Sequence, residues 1–391
     1  MQYRQLNNPD SLSALGFGCM RFPKKGNGFD HEEIEREIRY AIENGVNYFD
    51  TAYIYHGCEE EFGRVVEKIG ARDKIMIASK MPHYMMKSTQ EAQKRFDEQL
   101  SRLRTDRIDY YLMHMLPDLK TWEALVERGI DKWLEEKKSQ GKIRRAGFSF
   151  HGSSGQFVKI LDAYDWDFAQ IQYNYMDENS QAGGRGLKAA AAKGIPVIIM
   201  EPLRGGRLVN QLPEKAGELI STMTPGWTPA EFGLKWLWNQ PEVTTVLSGM
   251  NSMDMVKENI RIASETVEGS LTEDDMSTYA KVLAEIEKKI KVKCTGCGYC
   301  MPCPAGVDIP GCFKIYNSSY TDGYANAWRE YFMCTGMKNE RSMASLCKKC
   351  GKCESHCPQQ IQIRNELGHV KRRFENFVFR IATKIAPGHL K

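Results

Sequence analysis

Four side chains able to hold or move a proton stand at the ends of short apolar runs in the first third of the chain. Asp50 and Tyr55 lie in Phe49-Asp50-Thr51-Ala52-Tyr53-Ile54-Tyr55, Lys80 closes Ile75-Met76-Ile77-Ala78-Ser79, and His114 closes Tyr110-Tyr111-Leu112-Met113. If each run is a buried strand, Asp50, Lys80 and His114 sit at strand C-terminal ends and Tyr55 on the loop just beyond. In a parallel α/β barrel that end carries the chemistry. A free phenol has a pKa near ~10 and is a reluctant acid at neutral pH, and a neighbouring ammonium lowers it; a shift of about 2 units is worth roughly 3 kcal/mol. Asp50 would hold Lys80 charged, since a lone buried ammonium gives up its proton. Taken singly, each residue has an ordinary explanation: a structural ion pair, a satisfied core histidine, a half-buried tyrosine. All four at strand ends in register point to proton chemistry instead.

Cysteine is the second chemical signal. Ten of the twelve cysteines follow residue 293, and eight of those fall in two tight clusters. The N-terminus, Met1-Gln2-Tyr3-Arg4-Gln5, lacks the apolar core of a signal peptide. Clustered thiols in an unexported chain point to metal in a reducing, cytoplasmic compartment rather than to a disulfide framework.

These residues need elements to position them. Two short extended runs around a turn at 7–10 predict a hairpin capping a barrel floor, leading into a strand that ends at Gly18-Cys19-Met20-Arg21. Further strands are expected at 46–50, 74–80, 108–114, 145–149, 168–172, 196–200 and 244–248. Helices are expected at 32–44, 60–69, 88–103, 121–138, 155–163, 186–192, 229–238 and 253–263. Eight short β-branched strands, each followed by a helix, argue for parallel strands buried on both faces. The fold class is therefore α/β, a (β/α)8 TIM barrel, with an open doubly wound sheet as the alternative. Beyond the helix expected at 272–290 no strand-like alternation remains. The domains are read as a barrel at 1–270 and a smaller all-α unit at 271–391. At 391 residues, 42% hydrophobic and a net charge of +4, the chain reads as an ordinary globular protein with no case for nucleic acid. No apolar run is long enough to span a bilayer.

Asp-Thr-Ala-x-x-Tyr resembles the active-site motif of the aldo-keto reductases, and Asp50, Tyr55, Lys80 and His114 match that family's tetrad residue for residue. The resemblance covers residues 1–265. It implies carbonyl reduction, or the reverse, with NAD(P)H: Tyr55 as proton donor, Lys80 and Asp50 in support, and His114 orienting a small-molecule carbonyl substrate. It also implies cofactor contacts. Gly18 and Met20 follow the first strand, and Ser149 and Gln172 take the nicotinamide carboxamide. Met200, Leu203, Gly205 and Gly206 form the loop over the nicotinamide and pyrophosphate. Gly249, Asn251, Glu258 and Asn259 take the adenosine end. The chain departs from the family in three places. Ser149 is followed by Phe150-His151 rather than Asn, Met200 stands where many members have an aromatic ring, and no Lys or Arg flanks Asn251. Lys257 or Arg261 is a candidate substitute for gripping a 2′-phosphate, and NAD versus NADP stays open.

Cys347-x2-Cys350-x2-Cys353-x3-Cys357-Pro358 has the spacing of bacterial ferredoxin cluster sites, and Cys294-x2-Cys297-x2-Cys300-x2-Cys303-Pro304 is shorter by one residue before its last Cys. Zinc is the rival metal, but the third close Cys followed by Cys-Pro fits a cubane better. The pattern resembles a two-cluster ferredoxin of the α-helical type, whose fourth Cys in each run ligates the other cluster. That implies two [4Fe–4S] clusters, one on Cys294, Cys297, Cys300 and Cys357 and one on Cys347, Cys350, Cys353 and Cys303. Cys19, Cys58, Cys312 and Cys334 read as plain thiols. The tail at 370–385, with Phe374, Phe377, Val378 and Ile381 on one side, reads as packing onto the barrel rather than as a membrane or partner helix.

Together the two halves resemble bacterial aldo-keto reductases carrying a C-terminal ferredoxin-type domain, with an external redox protein as a further partner. Hydride moves two electrons and a cubane one, so a bound flavin is an alternative cofactor. A redox- or oxygen-sensing iron–sulfur protein on a ligand-binding barrel is the competing function.

Overall fold

The computed structural model describes residues 1–5, 10–152, 154–223, 226–288, 290–294, 296, 298–321, 323–336, 341–357 and 359–385. The chain divides into two compact units, residues 1–206 with 227–272, and residues 207–226 with 273–391.

The first unit is a closed barrel of eight parallel strands. In chain order they are β1 (Leu15–Gly18), β2 (Tyr48–Asp50), β3 (Met76–Met81), β4 (Ile108–Leu116), β5 (Ile143–Phe150), β6 (Phe168–Gln172), β7 (Val197–Met200) and β8 (Val243–Ser248). Each pairs with its sequence neighbours, and β8 closes on β1. The two-residue period of a strand sorts the side chains. Tyr110 and Leu112 point inward, into a layer with Leu12, Tyr48, Ala78, Phe168, Ile198 and Leu247. Tyr111, between them, points outward, its ring 5.1 Å from Phe96 and its hydroxyl donating to Gln99 at 2.7 Å. The expected floor hairpin forms from Tyr3–Gln5 and Ser11–Ser13, antiparallel, while most of its turn falls outside the described residues. Buried Asp10 accepts from Tyr110 at 3.1 Å and Arg145 at 3.0 Å, which seals the N-terminal end.

Helices α1 (His31–Glu43), α2 (Cys58–Ile69) and α3 (Thr89–Leu103) follow the first three strands. The cap expected at Ser88 is present, its hydroxyl accepting the Glu91 N–H at 3.3 Å. Gly63 lets α2 approach α3 closely, since a Cβ there would meet the Arg102 carbonyl oxygen at 2.4 Å. The single helix expected at 121–138 is instead two, α4 (Leu119–Glu127) and α5 (Ile130–Ser139). They break at Gly129, whose φ of +79° a helix cannot hold. Then come α6 (Ser154–Leu161) and α7 (Gly183–Ala192). Two short helices, α8 (Arg207–Asn210) and α9 (Glu214–Ser221), come between β7 and α10 (Pro229–Trp238) but belong to the second unit; α11 (Met253–Glu265) follows β8.

Glu37 on α1 is fully buried, and neither of its oxygens has a partner among the described residues. Burial first, then Glu33 and Asp30, push its carboxyl up to about 8. The folded state therefore holds a proton that the unfolded chain releases near pH 4–5. Stability is full below that pH and falls as pH rises through about 8. Glu37→Gln is expected to flatten this slope, gaining about 2 kcal/mol over the natural chain at pH 9 and nothing at pH 4. Urea midpoints across that range measure it.

The second unit adds α12 (Glu273–Glu287), α13 (Ile309–Thr321), α14 (Tyr324–Tyr331), α15 (Lys352–Ser355), α16 (Ile363–Phe374) and α17 (Phe377–Ile385). Its core gathers Phe313, Tyr331, Leu367, Val370, Phe374 and Phe379, with Tyr331 stacked on Phe374 at 4.7 Å. The tail corrects the sequence reading. The helix breaks after Phe374, and α17 turns Phe379 and Thr383 inward, so Phe377 (76%) and Val378 (60%) are exposed, as is Ile381. Among the described residues no helix is long and apolar enough to cross a membrane.

Candidate active site and cysteine centres

The parallel barrel brings the C-terminal ends of β2, β3 and β4 side by side, and with them Asp50, Lys80 and His114. Lys80 Nζ donates to Asp50 Oδ1 at 2.5 Å and to the Thr51 carbonyl at 2.7 Å. Gln170 on β6 donates to the other Asp50 oxygen at 3.2 Å. Two backbone bonds, Tyr55 N–H to the Ala52 carbonyl and Cys58 N–H to the Tyr55 carbonyl, each 2.9 Å, turn the loop so that Tyr55 leans over the pair. Lys80 Nζ lies 5.3 Å from the Tyr55 ring centre, and the His114 ring stands edge-on to that ring at 6.2 Å. All four side chains converge on one place.

Their electrostatics follow from burial. Burial pushes the Asp50 carboxyl up, against the pull of Lys80. The same burial pushes Lys80 down, and Asp50 and then Tyr55 draw it above its ordinary value. The pair is held as carboxylate and ammonium. Tyr55 differs from the sequence expectation: burial raises its pKa, and Lys80 offsets only part of the rise. A solvated model phenol has no such desolvation cost. Burial, with Lys80 and two histidines nearby, pushes His114 down to about 2, so it stays a neutral imidazole.

Several supporting contacts carry no sequence signal. Met115 adopts φ +59° at a bulge in β4. The Ser149 hydroxyl accepts the Met115 N–H at 2.8 Å, and His83, pushed down to about 4 by burial, bonds the backbone of Met115 and His114. Gln99 bonds Glu59 at 2.7 Å and the Lys80 carbonyl at 3.3 Å beneath β3. These contacts join residues far apart in the chain, so no local pattern shows them.

The residues expected at a dinucleotide line the rim. Gly18 ends β1 beside the Ser248 carbonyl, where a Cβ would sit at 3.3 Å, and Met20 is exposed. Gln172 spends its amide N–H on Asp177 at 2.6 Å, leaving Oε1 buried without a partner among the described residues. Ser149 keeps its hydroxyl proton free of the Met115 bond. These two polar groups, near the C-terminal ends of neighbouring strands β6 and β5, are the ones that could hold a carboxamide. Met200 ends β7, Leu203 packs against Gly233 of α10, and the loop beyond carries Gly205 and Gly206, both at positive φ. Gly249 and Asn251 are exposed at the end of β8. Arg21, which the sequence reading passed over, bridges these loops: it donates to the Gly205 carbonyl at 3.2 Å and leaves no room for a Cβ at Gly249. Glu258 accepts from Thr228 at 2.7 Å and Asn259 donates to Ser248 at 3.0 Å, so both have intramolecular partners. Arg261 is ion-paired to Glu231 and Glu265, and Lys257 stands 5.9 Å from the Tyr40 ring centre.

In the second unit, Cys294, Cys300 and Cys357 line one cleft with Ile309, Pro310 and Phe313. Cys297 lies outside the described residues. Cys353 senses Cys347 and Cys303 as neighbouring charges, after burial and Glu354, and Cys350 is exposed. Thiols 44 to 63 positions apart in sequence thus lie near one another. Among the described residues no three-donor set closes tightly enough for a single metal ion. Cys19, Cys58 and Cys312 are buried, and Cys334 is exposed.

A closed parallel barrel with an ion-paired lysine and a tyrosine at its mouth places the first unit in the TIM-barrel class. Residues 14–284 match the aldo/keto reductase family model, and the chain belongs to that family. Residues 293–362 match the 4Fe-4S dicluster domain. L-galactose dehydrogenase of Arabidopsis thaliana is 24% identical over 73% of this chain and 96% of its own length. Aldo-keto reductase yakc [NADP(+)] of Schizosaccharomyces pombe is 24% identical over 66% of this chain and 85% of its own. The solved aldo-keto reductase AKR11C1 from Bacillus halodurans, in its holo form, superposes with a TM-score of 0.59 at 26% identity, covering 72% of this chain and 96% of that one.

Proposed function

We propose that the barrel reduces a small-molecule aldehyde or ketone, or oxidises the alcohol, with NAD(P)H. The convergence of Asp50, Tyr55, Lys80 and His114 carries this reading. Tyr55 gives its hydroxyl proton to the carbonyl oxygen as charge develops there. Lys80 stabilises the phenolate left behind, and Asp50 and the Thr51 carbonyl fix where its charge sits. His114, neutral, can donate an N–H to the same oxygen and set the angle of approach. Ser149 and Gln172 would orient the carboxamide of a bound nicotinamide, and Arg21 with the backbone of Gly205, Gly206 and Gly249 would face its pyrophosphate. When bound, the nicotinamide would supply the hydride. The NADP(+) in the fission-yeast relative's name supports a nicotinamide. Arg261 is ion-paired to Glu231 and Glu265, which leaves Lys257 as the candidate grip for a 2′-phosphate.

We further propose that residues 271–391 form a cytoplasmic electron-transfer domain, separate from the barrel at 1–270. It would hold two [4Fe–4S] clusters, on Cys294, Cys297, Cys300 and Cys357 and on Cys347, Cys350, Cys353 and Cys303. Anaerobic purification with iron, sulfide and cofactor assays tests both halves. About eight irons per chain, no released flavin and saturable quenching of protein fluorescence by NADH are expected. A flavin band surviving iron–sulfur removal, with no nicotinamide binding, would assign the barrel to flavin instead.

A further inference from the structure

Three exposed lysines crowd the second cysteine run. Lys348, Lys349 and Lys352 are exposed and flank Cys347, Cys350 and Cys353. Among the described residues no carboxylate lies within ion-pair reach of any of the three. The one acidic side chain in the run, Glu354, is already taken: Arg364 donates to it from its backbone N–H and its guanidinium, each at 2.9 Å. Lys349 holds φ +56°, which aims its N–H at Cys347 Sγ from 3.4 Å. That turn holds the Lys349 backbone against Cys347, and Cys350 itself is exposed.

We propose that this lysine face is the docking surface for a small acidic one-electron carrier protein. The inference rests on the reading that these thiols hold a cluster. The physical case is steering. A compact patch of unpaired positive charge attracts an acidic partner and orients it on approach. Electron-transfer encounters bury little area, so charge rather than apolar contact selects the partner. An exposed thiol ringed by lysines puts the centre close to whatever those lysines hold.

The experiment uses the anaerobically purified full-length chain, with its iron content measured first. Lack of iron overturns the cluster reading before any binding is attempted. The probe is an acidic plant-type [2Fe–2S] ferredoxin, titrated by calorimetry at low ionic strength. Binding is expected, weakening at least tenfold between 0.01 and 0.15 M salt as the screening length contracts from about 30 to about 8 Å. Charge reversal in K348E/K349E/K352E should weaken it at least tenfold with the iron–sulfur absorbance retained, and neutralisation in K348Q/K352Q by an intermediate factor. K371E/R372E, at the far end of α16, should bind as the natural chain does. Equal binding by the triple variant, equal binding of a basic cytochrome c, or preference for anionic lipid vesicles would each overturn the proposal.

Discussion

Tyr55→Phe is expected to lower carbonyl turnover by about two to four orders of magnitude, the usual contribution of a positioned general acid. The change deletes one oxygen from a half-buried ring and leaves the ring contact with His114 and the position over Lys80 intact. Stability should therefore move by less than about 1 kcal/mol. NADH affinity and the iron–sulfur spectrum should not move, because neither depends on the phenol. The loss should appear in kcat and in kcat/KM alike, the pattern of a group that acts in the transition state. The raised pKa of Tyr55 adds a constraint. The reductive direction needs a protonated phenol, so its rate should hold level across neutral pH. His114 contributes no ionisation there, its imidazole being neutral down to about pH 2. If turnover instead survives in the variant and follows the oxidation state of the clusters, the barrel is a ligand-sensing scaffold and the phenol is a bystander.

The placement of Asp50, Lys80 and His114 was readable because a buried strand is a short run of apolar residues, and a charge that closes one marks where the strand leaves the core. The closed barrel followed from eight such runs, each with a helix after it. What stayed hidden is what the closure itself creates. Gln170 reaches Asp50 across the barrel from residue to residue 120 positions away, and Arg21 spans loops after β7 and β8. The break at Gly129 looked like continuous helix because the apolar spacing runs through it, and only the left-handed glycine reveals the turn. The tail read as one apolar stripe from Phe374 to Ile381. A break of two residues rotates the second helix, burying Phe379 and exposing Phe377. The sign of the Tyr55 shift was missed for a related reason: a sequence names the ammonium but not the depth at which it sits.

Lys80→Met separates the fold from the chemistry. Lys80 is 2% exposed and Asp50 4%, so removing the ammonium strands a buried carboxylate whose remaining partner is Gln170. Breaking a buried pair on one side costs about 3–5 kcal/mol. Burial already raises Asp50 against the pull of Lys80, so without the lysine the carboxyl will take up a proton when it can. Its folded pKa then exceeds the unfolded value near ~3.9, and the folded state binds the extra proton. The variant should match the natural chain most closely near pH 4 and lose stability as pH rises, with the full deficit by about pH 8. Activity should be lost at every pH, since Tyr55 keeps its proton but loses the charge that would stabilise its phenolate. Asp50→Asn in the same chain should restore most of the stability at pH 8, because an amide needs no counter-charge, and none of the turnover. Urea midpoints and steady-state rates on the single and double variants read the two effects apart. Recovery of turnover with stability would mean that the ion pair only braces β2 against β3 and that the proton reaches the substrate by another route.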